Sequence, residues 1–387
     1  MNIYHQGGHN LVWNLESLDQ DGAGNGIIFS PVNDGPTRIM ALEQSIRCCS
    51  LFDPQFYTPA SERGKLSDYT FFPSAAMPEF TTFDFQSACW NIASQCVKWQ
   101  AEAGFPYIVI PTRYFDDLPS DYFAQISACY IDPFLAAIAK IGFDGPILLT
   151  AIIKSRQIID EEQRNDILNW LTSHQDIDGI YLIFESSSNS KQIKDPIYLA
   201  ECMKFIRALK DNDLSVHIGY NNTEGLLYSL SGPDSICMGS YENLRRFAPT
   251  RFAEQEPQNM RQPNPRLYSA VLLQWIQFSY IQAIQQLYSG WENLFENTRY
   301  TPLNFRPLQK WNLRQPDLYK HFFLVFSQQV SALPEDLRER AKFLREEINR
   351  ARMEFAAIDR AGVYLDDNSD GAHLNAWLTA IKLFSRS

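Results

Sequence analysis

The 387 residues include 45 Asp and Glu against 34 Lys and Arg, a net charge of -11 at neutral pH, with 45% hydrophobic and 20% charged side chains. That balance describes an ordinary folded globular protein and speaks against a general affinity for nucleic acid. The charge is uneven: from Tyr241 to Arg352 there are 16 basic and 11 acidic residues, which leaves room for a local basic surface on the C-terminal third.

Seven cysteines, an odd number with no CxxC spacing, sit mostly in apolar contexts where a thiol behaves as a small hydrophobe. The opening MNIYHQGGHNLVWNLES lacks the basic start and apolar core of a secretory signal. No apolar run approaches the roughly 20 residues of a membrane span. The expectation is a cytoplasmic protein with no membrane attachment.

Residues 1 to 25 are polar and Gly-rich and read as an irregular lead-in. Gly26 to Pro31 is the first strand, followed by a helix over Thr37 to Cys48, and Ser50 to Tyr57 is the second, stopped by proline. The segment on to Glu79, punctuated by Pro54, Pro59, Pro73 and Pro78, reads as a long loop. A helix over Phe83 to Ala103 follows from Phe85, Cys89, Ile92, Cys96 and Trp99 at three- to four-residue spacing. Tyr107 to Arg113 is strand three, and Ser120 to Ile141 is a long apolar helix with Pro133 inside it.

Gly145 to Ser186 is the clearest unit: two apolar runs, Ile147 to Lys154 and Ile180 to Glu185, flank an acidic-capped helix, the pattern of strand, helix and strand in a parallel sheet. A helix from Pro196 to Lys210, with Asp195 as N-cap, leads to Leu214 to Tyr220, then a short helix over Thr223 to Leu230 and a strand over Ser235 to Tyr241. After an excursion from Arg245 to Arg266, Leu267 to Leu273 is the candidate eighth strand, although LYSAVLLQWIQFSYIQAIQQLY also scans as one helix. Strand and helix repeating without hairpin signals predict an α/β fold, a (β/α)8 TIM-like barrel, over residues 1–290; an open doubly wound sheet also fits. Helices over Asp317 to Val330, Glu335 to Arg360 and Ala372 to Phe384 predict a helical C-terminal appendage over 291–387.

In a barrel, alternate side chains point inward, and those at the strand ends form the mouth. Parity then places Arg113, Lys154, Glu185 and Asn221 at the mouth and His217 deeper, and Asp53 joins the mouth as the residue at the C-terminal end of strand two, which is too short for parity. Two carboxylates and two cations gathered there suit a small polar or anionic ligand. Glu185, below the Ser- and Asn-rich stretch Ser186 to Ser190, is the candidate general acid or base, with Asp53 as second carboxylate. Arg113 and Lys154 would hold phosphate or carboxylate, with His217 and Asn221 completing the binding set. The plainer readings are a rim ion pair for Lys154 and Glu185, a core histidine for His217, and a turn cap for Asp53.

Other motifs are absent. There is no HExxH, no His/Cys cluster, no GxGxxG, no GxxxxGK[ST] and no GxSxG, so neither metal nor nucleotide cofactor is expected. Gly239 and Ser240 could present backbone N–H groups to a phosphate, but two residues are no motif. On the helix Glu335 to Arg360, Arg338, Arg340, Lys342, Arg345, Arg350 and Arg352 form either a solvated salt-bridged face or a dock for a protein partner or, more weakly, nucleic acid. Two functions compete: a hydrolase or group-transfer enzyme working at the mouth, and a non-catalytic subunit docking through its basic helices.

Overall fold

The computed structural model describes residues 1–76, 82–186, 191–253, 264–301 and 316–386, with side chains 82–87 left aside. Its centre is an eight-stranded, all-parallel sheet: β1 (Asn2–Gln6), β2 (Gly26–Phe29), β3 (Leu51–Phe52), β4 (Ile108–Ile110), β5 (Ile147–Lys154), β6 (Gly179–Glu185), β7 (Ser215–Gly219) and β8 (Ser235–Gly239). The order β3-β2-β1-β8-β7-β6-β5-β4 curls round until β3 lies against β4, a nearly closed barrel. The fold is the α/β TIM-like barrel expected, with C-terminal helices appended.

Two strand assignments change. The N-terminal stretch read as irregular holds β1, paired with β2 on one side and β8 on the other. Its polar residues hid it: His5 and Gln6 are fully buried, His5 bonding Ala23 O (2.7 Å) and Asn14 (3.1 Å). Conversely, Leu267 to Leu273 is no barrel strand. Arg266–Ser269 (β9) pairs antiparallel with Gln274–Gln277 (β10) in a separate hairpin. Leu267 and Ile276 from it join Ile281, Ile284, Leu318 and Ile358 in a second apolar core.

Helices α1 (Leu11–Asp21), α2 (Thr82–Glu102), α3 (Asp132–Ile141), α4 (Glu161–Thr172) and α5 (Pro196–Asp211) form much of the outer layer. Local chemistry sets their ends. Asp160 accepts from Gln163 N and Asp195 from Ile197 N and Tyr198 N, with Pro196 opening the first turn, while Gly22 and Gly142 take the left-handed conformation that ends a helix. The stretch Tyr122–Ile141, within the expected Ser120 to Ile141 helix, is long and apolar enough to cross a membrane by composition alone, where no run of that kind was expected; it packs against α2, with Phe134 and Ile138 buried. In the appendage, α6 (Asp317–Ser331) packs on α1 and α8 (His373–Phe384) on α5, with α7 (Leu337–Arg360) against α8.

Parity inside the barrel follows the sequence pattern. Tyr4, Tyr107 and His217 meet in a low layer, with ring centroids of Tyr107 and His217 5.0 Å apart, while Phe52 and Phe29 face outward to Phe105. Gly219 belongs to the inner set because Tyr181 crosses there; a Cβ would collide with the Tyr181 hydroxyl.

Candidate functional site at the barrel mouth

β5 and β6 place Lys154 directly opposite Glu185 in the ladder. Their charged atoms are 4.0 Å apart, with side chains 10% and 22% exposed. Tyr114 bridges them: its hydroxyl donates to Glu185 Oε1 (2.9 Å) and accepts from Lys154 Nζ (3.1 Å), which also donates to Asp116 O (2.6 Å). Burial holds the Lys154 ammonium below its ordinary pKa, opposed by the Glu185 charge. Of the stretch Ser186 to Ser190, residues 187–190 lie outside the described residues.

Asp53 reaches the same end of the barrel but not the same space. It is 1% exposed and surrounded by phenols. The Tyr57 hydroxyl lies 2.9 Å from both carboxylate oxygens, Gln55 N donates to Oδ1 at 3.1 Å, and Tyr220 and Tyr181 approach Oδ2 at 3.3 and 3.4 Å. Gln55 and Tyr220 both carry positive φ, 57° and 53°, which turns the Tyr220 side chain inward against strand parity. Phe247 and Phe252 roof the cluster, each within 5.2 Å of the Tyr57 ring centroid. Burial raises the Asp53 carboxyl to about 6, against the hydrogen bonds from Tyr57 and Gln55 that lower it.

The other predicted residues lie apart. Asn221 extends the pairing of β7 with β8: its Oδ1 accepts from Cys237 N (2.8 Å) and its Nδ2 donates to Cys237 O (3.0 Å). His217 is in the low layer, bonded to Ser235 Oγ at 2.9 Å, and burial lowers its pKa to about 4. Arg113 stands over the Phe115 ring, 4.9 Å from its centroid.

Sequence reasoning missed a second acid and base near the strand ends, Glu224 after β7 and Arg245 after β8. Glu224 and Arg245 line a recess of about 30 Å3 together with Tyr198, Asn222, Lys191 and Arg246, room for one or two water-sized groups. Glu224 Oε1 accepts from Asn222 N (2.9 Å), but among the described residues Glu224 Oε2 has no hydrogen-bond partner; neither do Arg245 Nε and Nη1. Burial raises the Glu224 carboxyl to about 7 and lowers the Arg245 guanidinium to about 10. The Arg245 guanidinium carbon sits over Trp275, 3.8 Å from its ring centroid, and Trp275 Nε1 donates to Asn222 Oδ1 at 3.3 Å. Burial raises the Tyr198 hydroxyl well above its ordinary pKa, with smaller contributions from Cys202 and from the charges of Glu224 and Glu185. Neither Glu224 nor Arg245 lies on a strand or a long helix, so no periodicity marks them; only their type and nearness to a strand end could have.

Among the described residues, no group of three or more His, Cys, Asp or Glu is placed to hold a metal ion. Several basic residues of α7 have partners within the protein: Arg340 donates to Ser229 O (2.7 Å), Arg345 to Ser385 Oγ (2.9 Å), and Arg350 pairs with Glu347 (3.0 Å).

No protein-family model matches the chain, and neither a curated protein nor a solved structure matches it significantly.

Proposed function

We propose that this barrel binds a small polar or anionic molecule at the C-terminal ends of β5 to β8 and acts on it as a hydrolase or group-transfer enzyme. The observation that carries this reading is the recess between Glu224 and Arg245, where a carboxyl oxygen and two guanidinium nitrogens are desolvated without partners. Leaving such groups unpaired costs free energy, and sites that tolerate that cost are commonly functional. A water or substrate hydroxyl lodged there can donate to Glu224 Oε2 while Arg245 holds an oxygen beside it.

With its carboxyl near neutrality, Glu224 can take and return a proton at working pH, which is what general acid/base catalysis needs. Glu185, paired with Lys154 and bonded to Tyr114, is the second carboxylate of the site. Asp53 is assigned to supporting the mouth from beneath the Phe247 and Phe252 roof. The alternative, a non-catalytic subunit docking through α7, gains least from Arg340, Arg345 and Arg350, whose side chains already have partners.

The test is turnover of aryl phosphates, aryl glycosides and aryl esters by the wild-type chain and by Glu224→Gln. Turnover with an ionisation near pH 7 that Glu224→Gln abolishes, without loss of folding, supports the reading. Absence of turnover from every probe, or turnover indifferent to Glu224→Gln, counts against it.

A further inference from the structure

On the β1 to β3 side of the mouth, the loops following β1, β2, β3 and β8 enclose a cleft of about 460 Å3. Arg63, Lys65 and Arg251 line it with His9, Tyr241 and Asn243, and none of the described lining residues is Asp or Glu. These residues are separate from the Glu224 and Arg245 recess.

Arg251 and Arg63 are built into the cleft, and Lys65 stands at its surface. Arg251 is 8% exposed, its guanidinium carbon 5.7 Å from the Tyr220 ring centroid and 5.5 Å from that of Phe252, and its Nη1 has no hydrogen-bond partner among the described residues. A desolvated guanidinium N–H without an acceptor is costly, and a ligand oxygen removes that cost. Arg63 Nη1 donates to the carbonyls of Thr250 (3.1 Å) and Ala253 (2.8 Å), tying the β3 loop to the β8 loop.

Gly64 fixes the approach of the two neighbouring loops. It has φ +65°, a Cβ there would collide with Val32 O, and Lys65 N donates to that same oxygen at 3.1 Å. A glycine at this point lets Arg63 and Lys65 flank the cleft. The acid nearest Lys65 is Asp68, 3.4 Å away, in a pair whose side chains are about half exposed; such a pair is weak and yields readily to a stronger anion.

We propose that this cleft holds a phosphoryl or sulfuryl group of a small organic ligand. Guanidinium groups match the spacing of oxyanion oxygens with paired N–H donors. A tetrahedral oxyanion can use donors arriving from three loops, where a planar carboxylate reaches fewer. The cleft volume falls in the range of small-molecule sites.

The experiment is calorimetric titration of the full chain with inorganic phosphate, sulfate and acetate at constant ionic strength, repeated on Lys65→Gln and Arg251→Gln. Saturable phosphate or sulfate binding, weakened about tenfold in each variant and not reproduced by acetate, is the expected result. Lys65 is on the surface, so Lys65→Gln keeps the test decisive even if Arg251→Gln disturbs the packing of Phe252. No binding of either tetrahedral ion, equal binding of acetate, or equal affinity in wild type and Lys65→Gln overturns the proposal. None of these outcomes involves turnover, so the acid/base reading of Glu224 stands or falls separately.

Discussion

The hydroxyl of Tyr57 lies 2.9 Å from both carboxylate oxygens of Asp53, in a part of the barrel from which solvent is excluded. A buried carboxyl held in this way depends on its donors more than on its charge. Tyr57→Phe should therefore destabilise the fold by about 1–3 kcal/mol, the cost of leaving a charged acceptor short of a partner. Urea unfolding at pH 7 measures it; a change within error would mean that Tyr220, Tyr181 and Gln55 N suffice.

Glu224 yields a prediction with a definite sign. Burial raises its pKa from 4.5 to about 7 in the folded state, so between those values the folded chain binds more protons than the unfolded chain. Stability contributed by this group is present below pH 4.5 and lost as pH rises through about 7. Glu224→Gln removes that loss, so the stability of the variant relative to wild type should rise between pH 5 and pH 8, by roughly 2–3 kcal/mol at most. The buried histidines oppose this trend: His5, His217 and His321 are lowered to about 4, so each adds stability as pH rises from about 4 to 6.5. Only the difference between variant and wild type isolates Glu224. Parallel melting-temperature profiles for the two would sink the assignment.

Asn221 should behave as part of the sheet. Its amide supplies both bonds to the Cys237 backbone where the β7 and β8 ladder gives out. Asn221→Ala leaves a buried N–H and C=O unpaired, and a loss of about 2–4 kcal/mol is expected for two such groups. A variant of native stability with weakened ligand binding would instead make Asn221 a contact residue.

Glu185→Gln separates the two readings of its pair with Lys154. The amide oxygen can still accept from Tyr114, and a partly exposed pair at 4.0 Å contributes roughly 1 kcal/mol or less, so the melting temperature should move little. Turnover of whichever aryl probe the wild type accepts should fall at least tenfold. Loss of stability without a selective loss of turnover would leave the pair as a structural rim contact.

The alternation in Ile147 to Lys154 and Ile180 to Glu185 was legible because both strands are long and apolar, and period two then fixes which side chains share a face. That was enough to bring Lys154 beside Glu185. It failed for β1, where buried His5 and Gln6 look like surface residues in sequence, and for Leu267 to Leu273, whose apolar content serves a different core. Asp53 was placed at the correct end, but nothing in its neighbours announced that Phe247 and Phe252, some 200 residues later, would cover it. Tyr220 escaped parity because its backbone turns over at positive φ, and Glu224, Arg245 and Arg251 lie in short turns with no period to read. Local pattern carries strands; it does not carry what long-range loops bring to their ends.

The joint between β3 and β4 behaves unlike the other seven. No ladder joins these strands among the described residues; instead the Gln100 side chain occupies both backbone groups of Val109, accepting from N at 2.9 Å and donating to O at 3.1 Å, while Phe52 stacks on Phe105 with centroids 5.7 Å apart. The cylinder is thus a strip whose two margins touch with no ladder between the strands, tied only beyond them where Tyr114 N donates to Tyr57 O at 3.0 Å. Its girth can widen along the strands with no ladder bond broken, giving the interior an elasticity that a fully laced cylinder lacks, and amide exchange at Leu51 and Phe52 should outpace that of β5 and β6.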